Sequence, residues 1–384
     1  MSLLLLLICG PLWAAPPLRA LLVGGGPNPS HNQVAIESNI RYVYHLLPPK
    51  TFTRVLFTDG DPQSANVLYE DASGNDHYRV PHLPAQDGPS RLDAFDHEFQ
   101  TVTQNPGGSL LFYFTGHGGP GANGYDNNEY DLWGGDRLTV QHLAGQIDSL
   151  PSKTPIVVVM VECFSGGFGN LLFQGGDPTG PVIPQDLCGF FASVPSREAA
   201  GCTPEVNEAD YHDFTSYFFA ALSGKDRLGH TVTGADYNHN GQIGMDEAYT
   251  YALIHDISID TPTCTSDIFL RRFVTTPDSE VFATPFSKAL GWSTPCQKAA
   301  LTVLSKTLGY RGEGLLSVAY AALMQVSSDG GDESDTHQAN VIRFVRVAKS
   351  VILAHTLQMS GSSALQARYA SLVAAEARNP LTGH

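Results

Sequence analysis

The chain is short of positive charge. Its 384 residues carry 22 Lys and Arg against 38 Asp and Glu, a net charge of −16. A surface that acidic argues against nucleic acid or an anionic membrane as the main partner. Cys-x-x-Cys is absent, and His212, His230, His239 and His255 do not fall at zinc-ligand spacings. Gly24-Gly25-Gly26 lacks both the lysine of a phosphate loop and the spaced glycines of a dinucleotide site, which leaves a tight strand-to-loop turn. No apolar run reaches the roughly 20 residues that a membrane span requires.

The one N-terminal apolar run, Leu3–Ile8, is followed by Ala14-Ala15. That pattern predicts a secretory signal over residues 1–15 and a secreted or periplasmic protein, although no Lys or Arg precedes the run. Ile8 is too bulky for the position before a lipidated cysteine, so Cys9 is not a lipid anchor. Past the leader remain Cys163, Cys188, Cys202, Cys264 and Cys296. An active thiol plus four others allows two disulfides in three pairings. The nearest-neighbour choice, Cys188–Cys202 and Cys264–Cys296, is the expectation, against the alternative of buried free thiols.

Strands and helices alternate along the first 255 residues. Apolar stretches at 19–23, 52–58, 109–114, 155–161 and 189–194 read as strands. Helices are expected at 31–47, near 92–102, from Thr139 as a cap, over 211–222 and over 245–255. Residues 60–88 read as a long loop. Such alternation predicts an α/β fold, a mostly parallel sheet with helices on both faces. From residue 297 the pattern turns helical, with segments at 299–308, 315–325, 338–357 and 364–377 joined by an acidic linker, 327–336.

Two of the strand patterns end in glycine-wrapped reactive residues. Leu110–Phe114 runs into Thr115-Gly116-His117-Gly118-Gly119, and Ile156–Val161 into Glu162-Cys163-Phe164-Ser165-Gly166-Gly167. Sites in parallel α/β sheets are built at strand ends. The 46 positions between His117 and Cys163 span a strand–helix–strand crossover, which can set the two on neighbouring strand ends. A thiol nucleophile needs a nearby base and a backbone thin enough to admit a carbonyl. The pair reads as a cysteine hydrolase, with the N–H groups of Gly118 and Cys163 as an oxyanion hole.

These blocks resemble the legumain/caspase group of cysteine peptidases, nearest to legumain-like or bacterial caspase-like members. Phe114-Thr115-Gly116-His117-Gly118 and Glu162-Cys163-Phe164-Ser165-Gly166 carry the resemblance. Tyr130–Thr139 and Ala192–Cys202 support it. It implies a caspase-like domain over 18–296 that cleaves protein or peptide substrates through a Cys–His dyad without a catalytic cofactor. The 192–202 segment, with Ser193 and Ser196, would line the primary pocket, and Asp213 resembles one of its acids. Its alternative reading is a helix N-cap. His31 or Asn32 stands where the group carries an arginine, and Val161 where it carries a second acid. The preference therefore stays open between Asn/Asp and basic side chains. Asn28 or Asn32 is the candidate partner of the histidine. A transpeptidase using the same dyad and a non-catalytic, calcium-stabilised binding module are the alternatives. The helical region 297–384 reads either as an inhibitory propart, with Arg343, Arg346 and Lys349 facing an acidic domain, or as a docked extension.

Asp236-Tyr237-Asn238-His239-Asn240-Gly241-Gln242-Ile243-Gly244-Met245-Asp246-Glu247 fits a twelve-residue EF-hand loop. Asp236, Asn238, Asn240 and Glu247 would offer side-chain oxygens and Gln242 its carbonyl to a structural calcium ion. With two carboxylates, binding should be weak, as suits extracellular calcium.

Overall fold

The computed structural model describes residues 16–328 and 336–382. The expected leader, 1–15, and the centre of the acidic linker lie outside the described residues.

Six strands form the main sheet: β1 (Arg19–Gly25), β2 (Phe52–Phe57), β3 (Leu110–Gly116), β4 (Pro155–Met160), β5 (Asp186–Phe191) and β6 (Thr263–Cys264), in the order β6-β5-β4-β3-β1-β2. The first five are parallel and β6 is an antiparallel edge. The central strands are buried on both faces, which is why they read as unbroken apolar runs rather than alternating ones.

Each sheet face carries its own core. On one, α1 (Val34–Leu46), α4 (Phe214–Ser223) and α5 (Met245–His255) cover Leu22, Tyr113, Val159 and Phe190. On the other, α2 (Leu92–Gln104) and α3 (Val140–Asp148) cover Val23, Phe112, Phe114 and Met160. Phe99 of α2 stacks on Phe112 at 5.0 Å between ring centroids. Truncating either ring should cost about 3–5 kcal/mol.

That second core runs without a break into the C-terminal helices. Leu270, Leu301, Leu316, Val341, Phe344, Val351 and Leu372 belong to the same buried cluster as the strand side chains. They lie on Thr265–Phe273, Pro295–Thr307, Leu315–Ser328, Thr336–Ser360 and Ser363–Glu376. Arg343, Arg346 and Lys349 of Thr336–Ser360 all have partners, Lys349 in a half-exposed pair with Asp278. Arg343 donates to the carbonyls of Asp256, Ser258 and Asp260, and Arg346 pairs with Asp267.

Three sequence expectations change. Residues 60–88 contain an antiparallel hairpin, Val67–Glu70 with Asp76–Arg79, whose outer strand is mostly exposed and so leaves no apolar period. The strand placed at 189–194 sits at Asp186–Phe191. The two disulfides are absent: Cys188, Cys202, Cys264 and Cys296 are all free. Each sits against a different part of the chain. Cys188 approaches the Ala375 carbonyl, Cys202 that of Gly116, Cys264 the Ser266 hydroxyl and Cys296 the Asp246 carboxylate.

Candidate active site

The register of the two central strands sets up the site. Phe114 pairs with Met160, and Val161 N–H donates to the Phe114 carbonyl at 3.1 Å. The paired strands end at neighbouring points, so the segments that carry His117 and Cys163 leave the sheet side by side. Gly118 then packs on the backbone of the cysteine block. A Cβ there would stand 2.6 Å from Glu162 Cγ and 2.7 Å from the Cys163 carbonyl, so only glycine fits.

His117 Nε2 stands 3.0 Å from Gln33 Oε1. Gln33 is the N-cap residue of Val34–Leu46, and its side chain makes no capping bond, so it is available to the imidazole. The expected partners lie elsewhere. Asn32 is fully buried and donates to the Asn66 carbonyl, while Asn28 bonds His31. Placing the helix start at His31 hid Gln33, because a mid-helix glutamine carries no signal. Burial holds the His117 imidazole below its usual pKa, and the neighbouring His31 adds to this; their rings meet edge to face at 5.7 Å.

The Cys163 thiol touches Ala199: the Ala199 N–H donates to Sγ at 3.3 Å, and Sγ lies 3.6 Å from the Ala199 carbonyl. Burial raises the thiol to about 11, and the carboxyls of Glu198, Asp260 and Glu162 reinforce the shift. Burial thus favours the uncharged form of each group, the thiol and the imidazole. Among the described residues no hydrogen bond joins the two groups directly. Glu162, next in the chain, is fully buried with both carboxyl oxygens unpartnered, and burial drives it well above the carboxylate range.

The segment that touches the thiol at Ala199 runs on into the wall of a cavity of about 240 Å³, which Cys163 itself does not line. Ala200, Gly201, Glu205, Asp210 and Asp213 form much of its wall, with Ala35 opposite. Asp213 is the N-cap of Phe214–Ser223, accepting from Ser216 N–H at 2.7 Å, and it also borders the cavity. It also accepts from Asn39 at 3.2 Å and pairs with Arg227 at 3.5 Å, both partners being buried. Arg227 stands in a turn after the helix and is not among the residues lining the cavity. Asp260 ties the wall to the core: its carboxylate accepts from Ala200 N–H at 2.6 Å and Phe214 N–H at 2.8 Å. Ser193 is not in the wall. It is fully buried, with its hydroxyl 3.3 Å from that of Ser165. Ser196 is exposed and outside the cavity lining, and His31 stands at the dyad rather than in the cavity. No C-terminal helix contributes to the cavity wall.

In the 236–247 loop, Asp236 accepts from the N–H groups of Asn240 and Gly241, and Asn238 Oδ1 from that of Asn240. Asn240 Oδ1 accepts from Gln242 N–H. The fully buried Glu247 accepts from Asn238 and Gly244 N–H at 3.0 and 3.1 Å. The side-chain oxygens of the loop thus accept from its own backbone N–H groups. Among the described residues, no group of three or more His, Cys, Asp or Glu side chains is arranged for a metal ion, so any such site leans on the two asparagines.

No protein-family model matches the chain, and no curated protein sequence does. Among solved structures, a structural-genomics protein of Geobacter sulfurreducens is 12% identical with a TM-score of 0.36, over 65% of this chain and 92% of that one. A secreted C11 cysteine protease of Bacteroides thetaiotaomicron, solved with an irreversible peptide inhibitor, is 14% identical with a TM-score of 0.31, over 71% of each chain. At these scores the fold assignment rests on the sheet itself: mostly parallel, helices on both faces, and a helical C-terminal region.

Proposed function

We propose that this chain is a cysteine endopeptidase that works through Cys163 and His117. The observation that supports the reading is the close packing of Gly118, the residue after His117, on the Cys163 carbonyl at the ends of two paired strands. In the reaction, Sγ attacks the scissile carbonyl while its proton passes to the imidazole. The oxyanion lies against the backbone at Gly118 and Cys163. The tetrahedral centre collapses to a thioester, and His117 gives the proton to the departing amine. Water then cleaves the thioester, returning the thiol and a free carboxylic acid.

The cavity wall offers Glu205, Asp210 and Asp213 and no Lys or Arg. An aspartate side chain would be repelled there, so we favour asparagine or a basic residue before the scissile bond. Positional-scanning peptide libraries on the wild type and Cys163→Ala test both points. Cleavage after Asn, Lys or Arg that vanishes in the alanine form is expected. Turnover surviving in that form would remove the nucleophile assignment. Products joined to an added amine peptide would instead mark a transpeptidase, and binding without turnover a non-catalytic module.

The signal pattern suits a secreted enzyme. We also assign a weak structural calcium ion to Asp236, Asn238, Asn240, Glu247 and the Gln242 carbonyl. Millimolar calcium should raise the Tm of the wild type and not of Glu247→Gln. Equal behaviour of the two forms would remove the assignment.

A further inference from the structure

The residue after the nucleophile is held in an unusual conformation. Phe164 has φ +61°, in the left-handed region that a bulky side chain seldom occupies. Both of its backbone polar groups are pinned. Its N–H donates to the Arg197 carbonyl at 2.8 Å, and its carbonyl accepts from Asn128 Nδ2 at 2.7 Å. The fully buried Asn128 also donates to the Pro195 carbonyl at 2.9 Å, so one amide locks the hairpin to both the nucleophile segment and the 192–202 loop. A Cβ on Gly167 would stand 2.5 Å from that amide nitrogen. The surroundings thus fix a strained backbone, and the effect is to hold the half-buried Phe164 ring beside Cys163.

A second ring lies parallel to it. Tyr125 stacks on Phe164 with planes 7° apart and centroids 6.3 Å apart, while remaining 47% exposed. Tyr125 stands on the antiparallel hairpin Gly118–Gly121/Gly124–Asp131, and this hairpin is anchored just past it. The Asp126 carbonyl accepts from Asn170, Asn127 Oδ1 from Gln141 N–H, and Asn128 makes the bonds above. The exposed ring therefore sits on a fixed base. Neither aromatic lines the acidic cavity.

The side of the scissile bond that this shelf serves follows from the chain. The hairpin starts at Gly118, the residue after His117, and His117 hands its proton to the departing amine. The acidic cavity takes the acyl side, by way of Ala199–Gly201, so the segment attached to the amine leaves along the hairpin. We propose that Tyr125 and Phe164 form an apolar shelf that holds an aromatic or large aliphatic side chain within the first two residues after the scissile bond. The proposal rests on the peptidase reading for its orientation. It gives the enzyme a second selectivity, for the leaving segment, independent of the acidic cavity.

Internally quenched peptides that differ only in Phe or Ala at those two positions test it. Hydrolysis is measured for the full chain and for Tyr125→Ala and Tyr125→Phe. Binding of the same peptides is measured by calorimetry on Cys163→Ala with and without Tyr125→Ala. The wild type should favour Phe about five- to tenfold in KM, the worth of one stacked aromatic pair. Tyr125→Phe should keep that ratio, and Tyr125→Ala should bring it near one, with KM moving more than kcat. The same Phe preference should appear in Kd. An undiminished preference in Tyr125→Ala would overturn the shelf. Turnover without any Phe preference removes the shelf and leaves the peptidase. Binding with Phe preference but no turnover removes the peptidase and leaves the shelf, and absence of both binding and turnover removes both.

Discussion

Gln33 Oε1 lies 3.0 Å from His117 Nε2, across 84 positions of sequence. The amide fixes the imidazole from the start of the first helix, so the base is oriented by a neutral group rather than a carboxylate. Gln33→Ala should lower kcat/KM about fivefold, the worth of one hydrogen bond of about 1 kcal/mol. Gln33→Glu should move the acid limb of the pH–rate profile upward, because a carboxylate there favours the imidazolium. Profiles identical to the wild type in both variants would mean that the ring is held by its packing alone.

The Cys163 thiol, raised to about 11 by burial, should be slow to alkylate at neutral pH. The thiolate is the reactive form, so the proton retained up to about pH 11 keeps the sulfur quiet. Iodoacetamide labelling of Cys163, followed by mass spectrometry, should accelerate about tenfold per pH unit from pH 7 to 10. A rate already level at pH 7 would show that the resting dyad is an ion pair.

Arg343 carries the link between the C-terminal helices and the cavity. Its guanidinium, 1% exposed, bonds the Asp256, Ser258 and Asp260 carbonyls. Asp260 in turn holds Ala200 N–H. Arg343→Ala should cost about 3–5 kcal/mol in denaturant unfolding and raise KM more than it lowers kcat. Removal of the helices after the linker should unfold the domain, since Val341, Phe344 and Val351 belong to its core. A truncated form that folds and turns over peptides faster would instead establish an inhibitory propart.

Glu376 makes stability depend on pH in an unusual direction. It is 4% exposed, accepts from Thr265 Oγ1 and Ser266 N–H, and burial raises it to about 7 from 4.5. Below pH 4.5 it is protonated in both folded and unfolded chains. Between 4.5 and 7 the unfolded chain releases its proton first, so stability falls as pH rises. Glu376→Gln retains the acceptor and should gain roughly 3 kcal/mol at pH 8, with little change at pH 4. A gain of the same size at both pH values would assign the effect to packing instead.

Much of the plan was legible from local pattern. The apolar runs before His117 and Cys163 are long and unbroken because their strands are covered on both faces, and that alone announces a parallel sheet with chemistry at its ends. Thr139 and Asp213 were readable as caps because a cap acts on the next turn of its own helix. Cys188, Cys202, Cys264 and Cys296 show the opposite case. Cysteine spacing gives no distances, and the folded chain keeps all four apart as free thiols.

The sequence by itself determined the alternation of strands and helices in the main sheet and the two strand ends that carry His117 and Cys163, since each of these depends on neighbours within a few residues. Tertiary structure alone decided which groups surround that pair. Gln33 reaches His117, Arg227 neutralises Asp213, Asp260 braces the cavity wall and Asn128 clamps Phe164. Each is a polar side chain made informative only by what burial brings within about 3 Å of it. A polar residue leaves no period in the sequence, and its partner is chosen by the packing of the whole sheet.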